Sequence, residues 1–175
     1  GSEMCIRDRF KGCRFYEGLV RVPLIISWPQ WFARNKRSDA LVEMLDLSAT
    51  LLDLAGVEEP DYLQGISLCP ILTIESDGTS HRSFVRSEYF DALDPHFTGG
   101  SGTFATMHRT RRHKLCVYHG KGVGELFDLE NDPWEYENLW DDPVHGGLKN
   151  QLLAESFDAH VLLTTDIGSE RIAPM

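Results

Sequence analysis

The sequence predicts an α/β protein in which one or two elements of a larger central sheet precede a small antiparallel four-stranded sheet packed by a C-terminal helix. Three features lead to this prediction: an apolar run at residues 22–28, four short strand-like segments within residues 83–129, and a helical apolar repeat at residues 148–163. Antiparallel strands followed by an amphipathic helix are typical of two-layer packing around one core. At 175 residues, the chain is long enough to bury such a core.

The apolar run Val22–Trp28 has the length and β-branched content of a buried strand, and Pro29 ends it. A buried strand of this kind needs neighbours on both edges. No other segment of the sequence clearly supplies them. We therefore expect this chain to be the second part of a larger protein.

A helix is predicted next. Its apolar residues recur at helical spacing, with Asp46 as the N-cap and Gly56 as the stop. Residues 41–45 fit either an extension of this helix or a short strand. The turn-rich segment that follows contains one predicted helical turn, Pro70–Leu72.

The period then changes from helical to alternating. Strands are predicted at Ser83–Phe90, Phe104–Thr110, Lys114–His119 and Glu125–Leu129. Their short connections favour an antiparallel meander. The segment Leu148–Leu163 repeats apolar side chains at i, i+3, i+4 and i+7, which predicts an amphipathic helix on that meander.

Composition argues against several classes of partner. The formal charge is −10, from 27 acidic and 17 basic residues, so we expect no nucleic-acid or anionic-membrane partner. No apolar run approaches the roughly 18 residues that span a bilayer. Zinc is not expected because the four cysteines lack CxxC spacing. Three disulfide connectivities remain open, although Cys69 and Cys116 are interpreted as small buried hydrophobes.

The charged residues have simple structural interpretations. Glu17 and Arg21, four residues apart, predict an ion pair beside the apolar run. The basic cluster Arg109–Lys114 fits a solvated hairpin tip better than a binding site for a sulfated polymer. The acidic run Glu125–Asp142 is interleaved with aromatic residues and predicts an ordered loop. The seven histidines form no convincing ligand set, so metal binding through them is not expected.

Four segments, in order, resemble the C-terminal third of the type I sulfatases of the alkaline-phosphatase-like superfamily. The first reads KGCRFYEGLVRVPLIISWP, and it is similar to that family's lysine-bearing segment before Y/F-E-G and R-V-P-L-I. The others read LDLSATLLDLAGV, LQGISLCPIL and ELFDLENDPWEYENLWDDP. Ala49 departs from the family pattern, which has proline there. The resemblance covers residues 10–163.

The resemblance implies a sulfuric ester hydrolase in which Lys11 binds sulfate. A fixed ammonium there would stabilise the charge that develops on the sulfate oxygens. Taken without the resemblance, Lys11 is typical of a solvated surface lysine. His96 lies in a glycine-rich loop of the kind that often carries binding residues, and it is a candidate substrate contact. A solvated loop residue is the simpler interpretation.

The family's cofactors are calcium and a formylglycine made from the Cys or Ser of C/S-x-P-x-R. That motif is absent from the sequence, and so are the family's upstream calcium ligands. We therefore expect the 175-residue chain alone to be inactive. The resemblance also implies a sulfated small molecule or carbohydrate as substrate, and a periplasmic or secreted location.

This interpretation divides the chain into three parts. Residues 1–9, GSEMCIRDR, are predicted to be a non-native leader. Residues 10–80 would end the catalytic α/β domain, and residues 81–175 would form the sheet-and-helix subdomain. Two alternatives remain open: a phosphate- or phosphonate-ester hydrolase of the same superfamily, and a non-catalytic module that binds sulfated glycans.

Overall fold

The computed structural model describes residues 14–73, 81–91 and 102–165. The helices are α1 (Glu17–Val20), α2 (Leu45–Ala55), α3 (Cys69–Leu72) and α4 (Gly146–Thr165), and a 3-10 turn at Pro143–His145 precedes α4. The strands are β1 (Phe84–Phe90), β2 (Phe104–Thr110), β3 (His113–Tyr118) and β4 (Val123–Asp128). The structure forms two compact units. Of the described residues, one takes in 14–25, 86–91 and 102–152, and the other takes in 26–73, 81–85 and 153–165.

The four strands form one sheet in the order β1-β2-β3-β4. β2 pairs with β3, and β3 with β4, both antiparallel. The predicted meander is thereby confirmed, with strand ends within two residues of the predicted ones. Alternation of side chains explains why the sequence predicted it well, since Ala105 and Met107 point to one buried face of β2.

The core of the first unit lies on this sheet. Leu115 and Leu126 are fully buried, and Phe127 nearly so. The turn from β3 to β4 uses Gly120 and Gly122 at φ +73° and +68°. This left-handed backbone favours glycine and lets the chain reverse within a few residues.

In the second unit, α2 ends as predicted, because Gly56 takes the left-handed conformation at φ +64°. The prediction of Asp46 as N-cap is wrong. Met44 precedes the first helical residue, and Asp46 lies inside the first turn, where its carboxylate accepts the backbone N–H of Glu43 at 2.9 Å. The predicted turn at Pro70–Leu72 is confirmed as α3, and the open question at residues 41–45 is resolved by a single antiparallel bridge from Leu41 to Arg82.

The predicted strand Val22–Trp28 is wrong for this structure. The segment has no regular secondary structure, and Ile25 is 90 % exposed. Val22, Leu24 and Trp28 are exposed as well. Hydrophobic patterning alone does not make a strand. A strand also needs backbone partners at its edges, and no described strand pairs with this one.

The predicted C-terminal helix is confirmed as α4, which extends slightly beyond both predicted ends. Its predicted amphipathic pattern is wrong, because apolar residues of α4 such as Phe157 and Leu162 are exposed. Its packing on the sheet stays a prediction, as do the three predicted domain ranges. Cys69 and Cys116 are both free; Cys116 is buried, as predicted, whereas Cys69 is partly exposed. Among the described residues, no helix combines the length and apolarity that a bilayer crossing requires.

Candidate functional site

The two residues predicted to meet substrate, Lys11 and His96, lie outside the described residues. The described chain begins at Arg14, three residues after Lys11. The residues from Arg14 to Val20, which we call the anchor segment, therefore give the structural context nearest to Lys11. Their contacts lie within the first unit.

Lys114, a residue of the sheet, binds the anchor segment. This lysine of β3 is fully buried, and its Nζ donates to the backbone carbonyl of Phe15 at 2.7 Å and to Glu17 Oε1 at 3.2 Å. It also forms an ion pair with the carboxylate of Glu135. A buried ammonium costs several kcal/mol in lost hydration unless such partners surround it. The lysine thus requires the anchor segment and Glu135 in place.

Arg109 supplies a second cation to the same carboxylate. The register places Arg109 of β2 directly opposite Lys114 of β3, so both side chains stand on one face. Arg109 donates to Glu17 through Nε to Oε1 at 3.0 Å and through Nη2 to Oε2 at 3.2 Å. This fork is the strong, orienting form of a charge pair.

The electrostatic balance at Glu17 favours its charged form. Burial by itself would raise its pKa. The hydrogen bond from Arg109 and the charge of Lys114 outweigh burial, so the pKa of Glu17 lies below its ordinary value. Glu17 is therefore a carboxylate at neutral pH, and the ion pairs persist there.

Glu135 closes the cluster from the loop after β4. Its Oε2 accepts the backbone N–H of Glu17 at 2.7 Å, at the start of α1. Glu135 is buried and takes φ +59°. A left-handed conformation is uncommon for glutamate and costs on the order of 1 kcal/mol or more unless surrounding contacts hold it. Its contacts to Glu17 and Lys114 supply that hold.

Arg14 attaches the start of the anchor segment to the same sheet face. Its Nη1 donates to Tyr118 Oη at 3.1 Å and to Glu125 Oε1 at 2.5 Å, and its guanidinium lies 5.1 Å from the Tyr118 ring centroid. The Tyr118 hydroxyl in turn donates to Glu125 Oε2 at 3.1 Å. Burial and the neighbouring Glu125 carboxylate raise the pKa of Tyr118, which stays a neutral donor.

These contacts correct two predictions. Glu17 pairs with Arg109 and Lys114 while Arg21 is exposed, so the predicted Glu17–Arg21 pair is wrong. The predicted solvated hairpin tip is wrong for Arg109 and Lys114, which point into the cluster. It holds for the tip residue Arg112, whose Nη2 is 2.7 Å from Asp128 Oδ2 at the surface.

The sequence analysis missed Lys114 and Glu135, although a signal for the lysine was present. Lys114, Cys116 and Tyr118 occupy every second position of β3, so their side chains share one face of the strand. Cysteine is often buried and tyrosine is frequently buried in part, which indicates that this face packs inward. Glu135 carried no comparable signal. Its role depends on a contact between residues 118 positions apart.

A second buried cluster lies wholly within the other unit. Asp46 is fully buried and accepts Arg82 Nε at 3.0 Å and the Ile66 backbone N–H at 2.8 Å. His81 Nε2 lies 3.1 Å from Asp46 Oδ2. Burial would raise the pKa of Asp46, but the hydrogen bonds from Arg82, Glu43 and Ile66 bring it below its ordinary value. This cluster ties α2 to the chain before β1, and its groups are all paired structurally.

These two clusters hold parts of the chain in fixed positions. Within residues 14–73, 81–91 and 102–165, no group of three or more His, Cys, Asp or Glu side chains is arranged to hold a metal ion. The ordered acidic loop after β4 is also positional: Asn138 accepts the backbone N–H of Leu126 at 2.9 Å and donates to Gly124 O at 3.1 Å. The loop thereby carries Glu135 to the sheet.

The chain is similar in sequence to known sulfatases. Residues 8–160 match the family described as N-sulphoglucosamine sulphohydrolase, C-terminal. A Delta 4,5-hexuronate-2-O-sulfatase from Bacteroides thetaiotaomicron is 35 % identical over 147 residues, covering 83 % of this chain and 28 % of that protein. The chain thus spans little more than a quarter of the length of this relative.

Two solved structures, one of a sulfatase and one of a phosphonate monoester hydrolase, are also similar to this chain. A 2-O GAG sulfatase structure is similar with a TM-score of 0.56 and 32 % identity, covering 69 % of this chain and 25 % of that one. The phosphonate monoester hydrolase SpPMH from Silicibacter pomeroyi is similar with a TM-score of 0.54 and 27 % identity, covering 69 % and 25 %. Both matches extend over the same share of this chain.

Proposed function

The chain belongs to the sulfatase family, as part of its C-terminal region, and on that premise we propose that the whole protein hydrolyses sulfate esters of carbohydrates to an alcohol and inorganic sulfate. The match over residues 8–160 is the observation that carries this proposal. The relative that acts on a hexuronate 2-O-sulfate supports a sulfated sugar as the substrate class. By the same resemblance, we expect the protein in the periplasm or outside the cell.

Lys11 is the proposed sulfate-binding residue of this chain. Its ammonium group would stabilise the negative charge that builds up on the sulfate oxygens as the ester bond breaks. The anchor segment supports this role, because a sulfate-binding cation must be held in a fixed position to act in the transition state. His96 is proposed as a substrate contact.

Formylglycine and calcium are the cofactors that the family resemblance implies. The described residues do not fit either role, since they form no calcium ligand group and the sequence contains no C/S-x-P-x-R motif. We therefore assign no step of the reaction to either group on this chain. The contribution proposed for this chain is to bind sulfate through Lys11.

A panel of ester substrates tests the proposed reaction. The whole protein is assayed with 4-nitrophenyl sulfate, 4-nitrophenyl phosphate and a phosphonate monoester at equal concentrations. We expect the highest kcat/KM for the sulfate. A preference for the phosphonate would replace the proposal by its alternative, which the similarity to the phosphonate monoester hydrolase motivates.

The third interpretation, a glycan-binding module without activity, has less support. The basic cluster Arg109–Lys114 is the feature of the sequence that could attract a sulfated polymer. Lys114 and Arg109 are occupied by Glu17, and Arg112 pairs with Asp128 and Glu130. Cations already neutralised by carboxylates attract a sulfated polymer weakly.

A further inference from the structure

We propose that the peptide bond between Arg37 and Ser38 is a cleavage site for an endoprotease that recognises paired basic residues, and that cleavage there leaves two chains bound to each other. The sequence around this bond reads RNKRSD, residues 34–39. Hydrolysis adds one water molecule across the C–N bond and gives a carboxylate on Arg37 and an ammonium group on Ser38. Such cleavage is independent of the proposed hydrolysis of sulfate esters.

Three basic side chains precede the bond. Lys36 and Arg37 form the pair directly before it, and Arg34 adds a third cation two positions upstream of the pair. A protease specific for such a site binds each cation in a pocket that carries carboxylates, so its specificity comes from charge-assisted hydrogen bonds. The motif therefore favours an endoprotease with acidic pockets over one that binds an apolar side chain.

Two of these cations are presented to solvent. Arg34 and Arg37 are exposed, and neither forms an ion pair within the described part of the chain. Lys36 is half-buried, and its Nζ donates to the backbone carbonyl of Thr73 at 2.9 Å in an exposed hydrogen bond. Because an exposed bond of this kind competes with water and adds little net stability, the lysine can exchange it for a carboxylate of the protease.

The backbone around the bond is accessible as well. Residues 36–40 have no regular secondary structure, and Ser38 and Asp39 are exposed. No described residue donates a hydrogen bond to the carbonyl of Arg37. An endoprotease binds its substrate as an extended strand and must reach that carbonyl. Exposed polar loops are the preferred places for such cleavage.

The same arrangement of basic residues occurs a second time, in RTRRHK at residues 109–114. Here the cations are occupied. Arg109 makes a forked contact with Glu17, and Arg112 pairs with Asp128. A protease would have to break these ion pairs before its own carboxylates could bind the same side chains. The second copy of the motif is therefore a poor substrate in the folded protein.

The peptide bond after Arg112 is also held on both sides. Its carbonyl accepts the backbone N–H of Leu129 at 2.7 Å, and the N–H of His113 donates to Thr110 Oγ1 at 3.0 Å. This bond leads into β3, which is paired with a strand on each edge. Cleavage here requires local unfolding of the sheet, whereas cleavage at Arg37–Ser38 requires only movement of an exposed loop.

Contacts of the upstream chain would hold the two chains together after cleavage. This chain contains the anchor segment, whose Glu17 binds Arg109 and Lys114. It also contains Ala33, whose backbone N–H donates to the carbonyl of Leu72 at 2.9 Å. None of these contacts includes the cleaved bond. We therefore expect the two chains to separate only in denaturant.

Limited proteolysis of the native whole protein tests the site. A subtilisin-like endoprotease specific for Arg-x-Lys/Arg-Arg is added, and the products are identified by N-terminal sequencing and intact mass. Each rate is divided by that of a synthetic peptide with the same motif, residues 31–42 or 106–117. We expect a chain that begins at Ser38 to form about 100-fold faster or more than one that begins at His113, which is released only through local unfolding. A protein that stays intact, or is cut first before His113, would overturn the proposal.

Three variants test whether the basic motif, beyond an accessible loop, directs cleavage. Arg37→Ala should abolish the chain that begins at Ser38. Arg34→Ala should slow its formation about tenfold or more, because one hydrogen-bonded charge pair with the protease is lost. Arg21→Ala removes an exposed arginine without a basic neighbour, so it is the matched control and should be cut like the wild type. An unaltered rate in Arg34→Ala would mean that accessibility alone decides, which would contradict the proposal.

Two further measurements test the two-chain form. On gel filtration, the cleaved whole protein should elute as one species in native buffer and as two in urea, and separation in native buffer would refute the expected association. Protein purified from its natural source should already contain a chain that begins at Ser38. Finding only the uncut chain there would refute a role of this bond in processing.

Discussion

At the scale of single residues, the described part of this protein is organised by two buried cations with carboxylate partners, Lys114 in one unit and Arg82 in the other. Each joins parts of the chain that are distant in sequence. Lys114 connects β3 with residues 15–17 and 135, and Arg82 connects the chain before β1 with α2 through Asp46. Buried charges with complete sets of partners tolerate little change, because removing one partner leaves the other uncompensated.

Asp46→Asn should therefore destabilise the second unit strongly. The amide keeps the side-chain shape but removes the fully buried carboxylate and leaves Arg82 only the Glu43 carboxylate, 3.6 Å away. Removing one partner of a buried ion pair costs about 3–5 kcal/mol in comparable cases. Urea unfolding of the chain measures this loss. Glu58→Gln, at an exposed position just after α2, is the control and should unfold like the wild type. An Asp46→Asn variant as stable as the control would contradict the assigned role of Asp46.

The free energy of unfolding should also depend on pH. The pKa values of Glu17 and Asp46 lie below their ordinary values in the folded chain, so the unfolded chain binds more protons as the pH falls. The stability these groups contribute is fully present above their unfolded pKa values of about 4 and is lost as pH falls below them. Urea unfolding at a series of pH values from about 6 to about 3 brackets this range and measures the loss. The variant that combines Glu17→Gln with Asp46→Asn should show a shallower decline, and an equally steep decline would contradict the attribution.

At the scale of elements, local patterns predicted most of the secondary structure. The four strands were predicted from short runs rich in β-branched and aromatic residues between turn residues, and α4 from apolar residues spaced three and four positions apart. Gly56 was predicted as a helix stop because few other residues adopt its conformation. The prediction failed at Val22–Trp28. The composition of this segment suits a strand, but its residues are largely exposed. A strand also needs neighbouring strands to pair with, and a local sequence pattern does not reveal whether they are present.

Gly65 offers a test of how closely two elements approach. A Cβ placed on Gly65 would overlap the backbone carbonyl of Leu45 at the start of α2. Since backbone cannot move aside as a flexible side chain can, Gly65→Ala should destabilise the chain by about 1–3 kcal/mol. Gly147→Ala, in α4 with open space around its Cβ position, should instead leave stability unchanged or raise it by about 0.5–1 kcal/mol. Thermal unfolding of both variants checks the contrast, and equal effects would contradict it.

At the scale of the whole molecule, the sequence predicted the family but not the positions around the candidate site. Four ordered motifs identified the sulfatase family, and the match over residues 8–160 confirms it. The partners of Glu17 could not be predicted, because the hairpin register that places Arg109 opposite Lys114 and the loop that delivers Glu135 are long-range features. Lys11 and His96 lie outside the described residues, so their roles stay predictions.

The 175-residue chain should have no activity alone. It spans 28 % of the length of the 2-O-sulfatase relative and has no C/S-x-P-x-R motif. In the presence of calcium, the purified chain should therefore release no 4-nitrophenol from 4-nitrophenyl sulfate under conditions in which the whole protein does. Turnover by the chain would show that it contains a complete catalytic site.

The most direct test of the central claim is the effect of Lys11→Ala on sulfate-ester hydrolysis by the whole protein. Removing one preformed contact to a developing oxyanion lowers kcat by about 100- to 1,000-fold in well-studied cases, and a loss of that order is expected here. Lys121→Ala, which removes an exposed lysine from the turn between β3 and β4, is the matched control and should keep wild-type activity. Equal activity of the Lys11→Ala and Lys121→Ala proteins would contradict the assignment of Lys11 as the sulfate-binding residue.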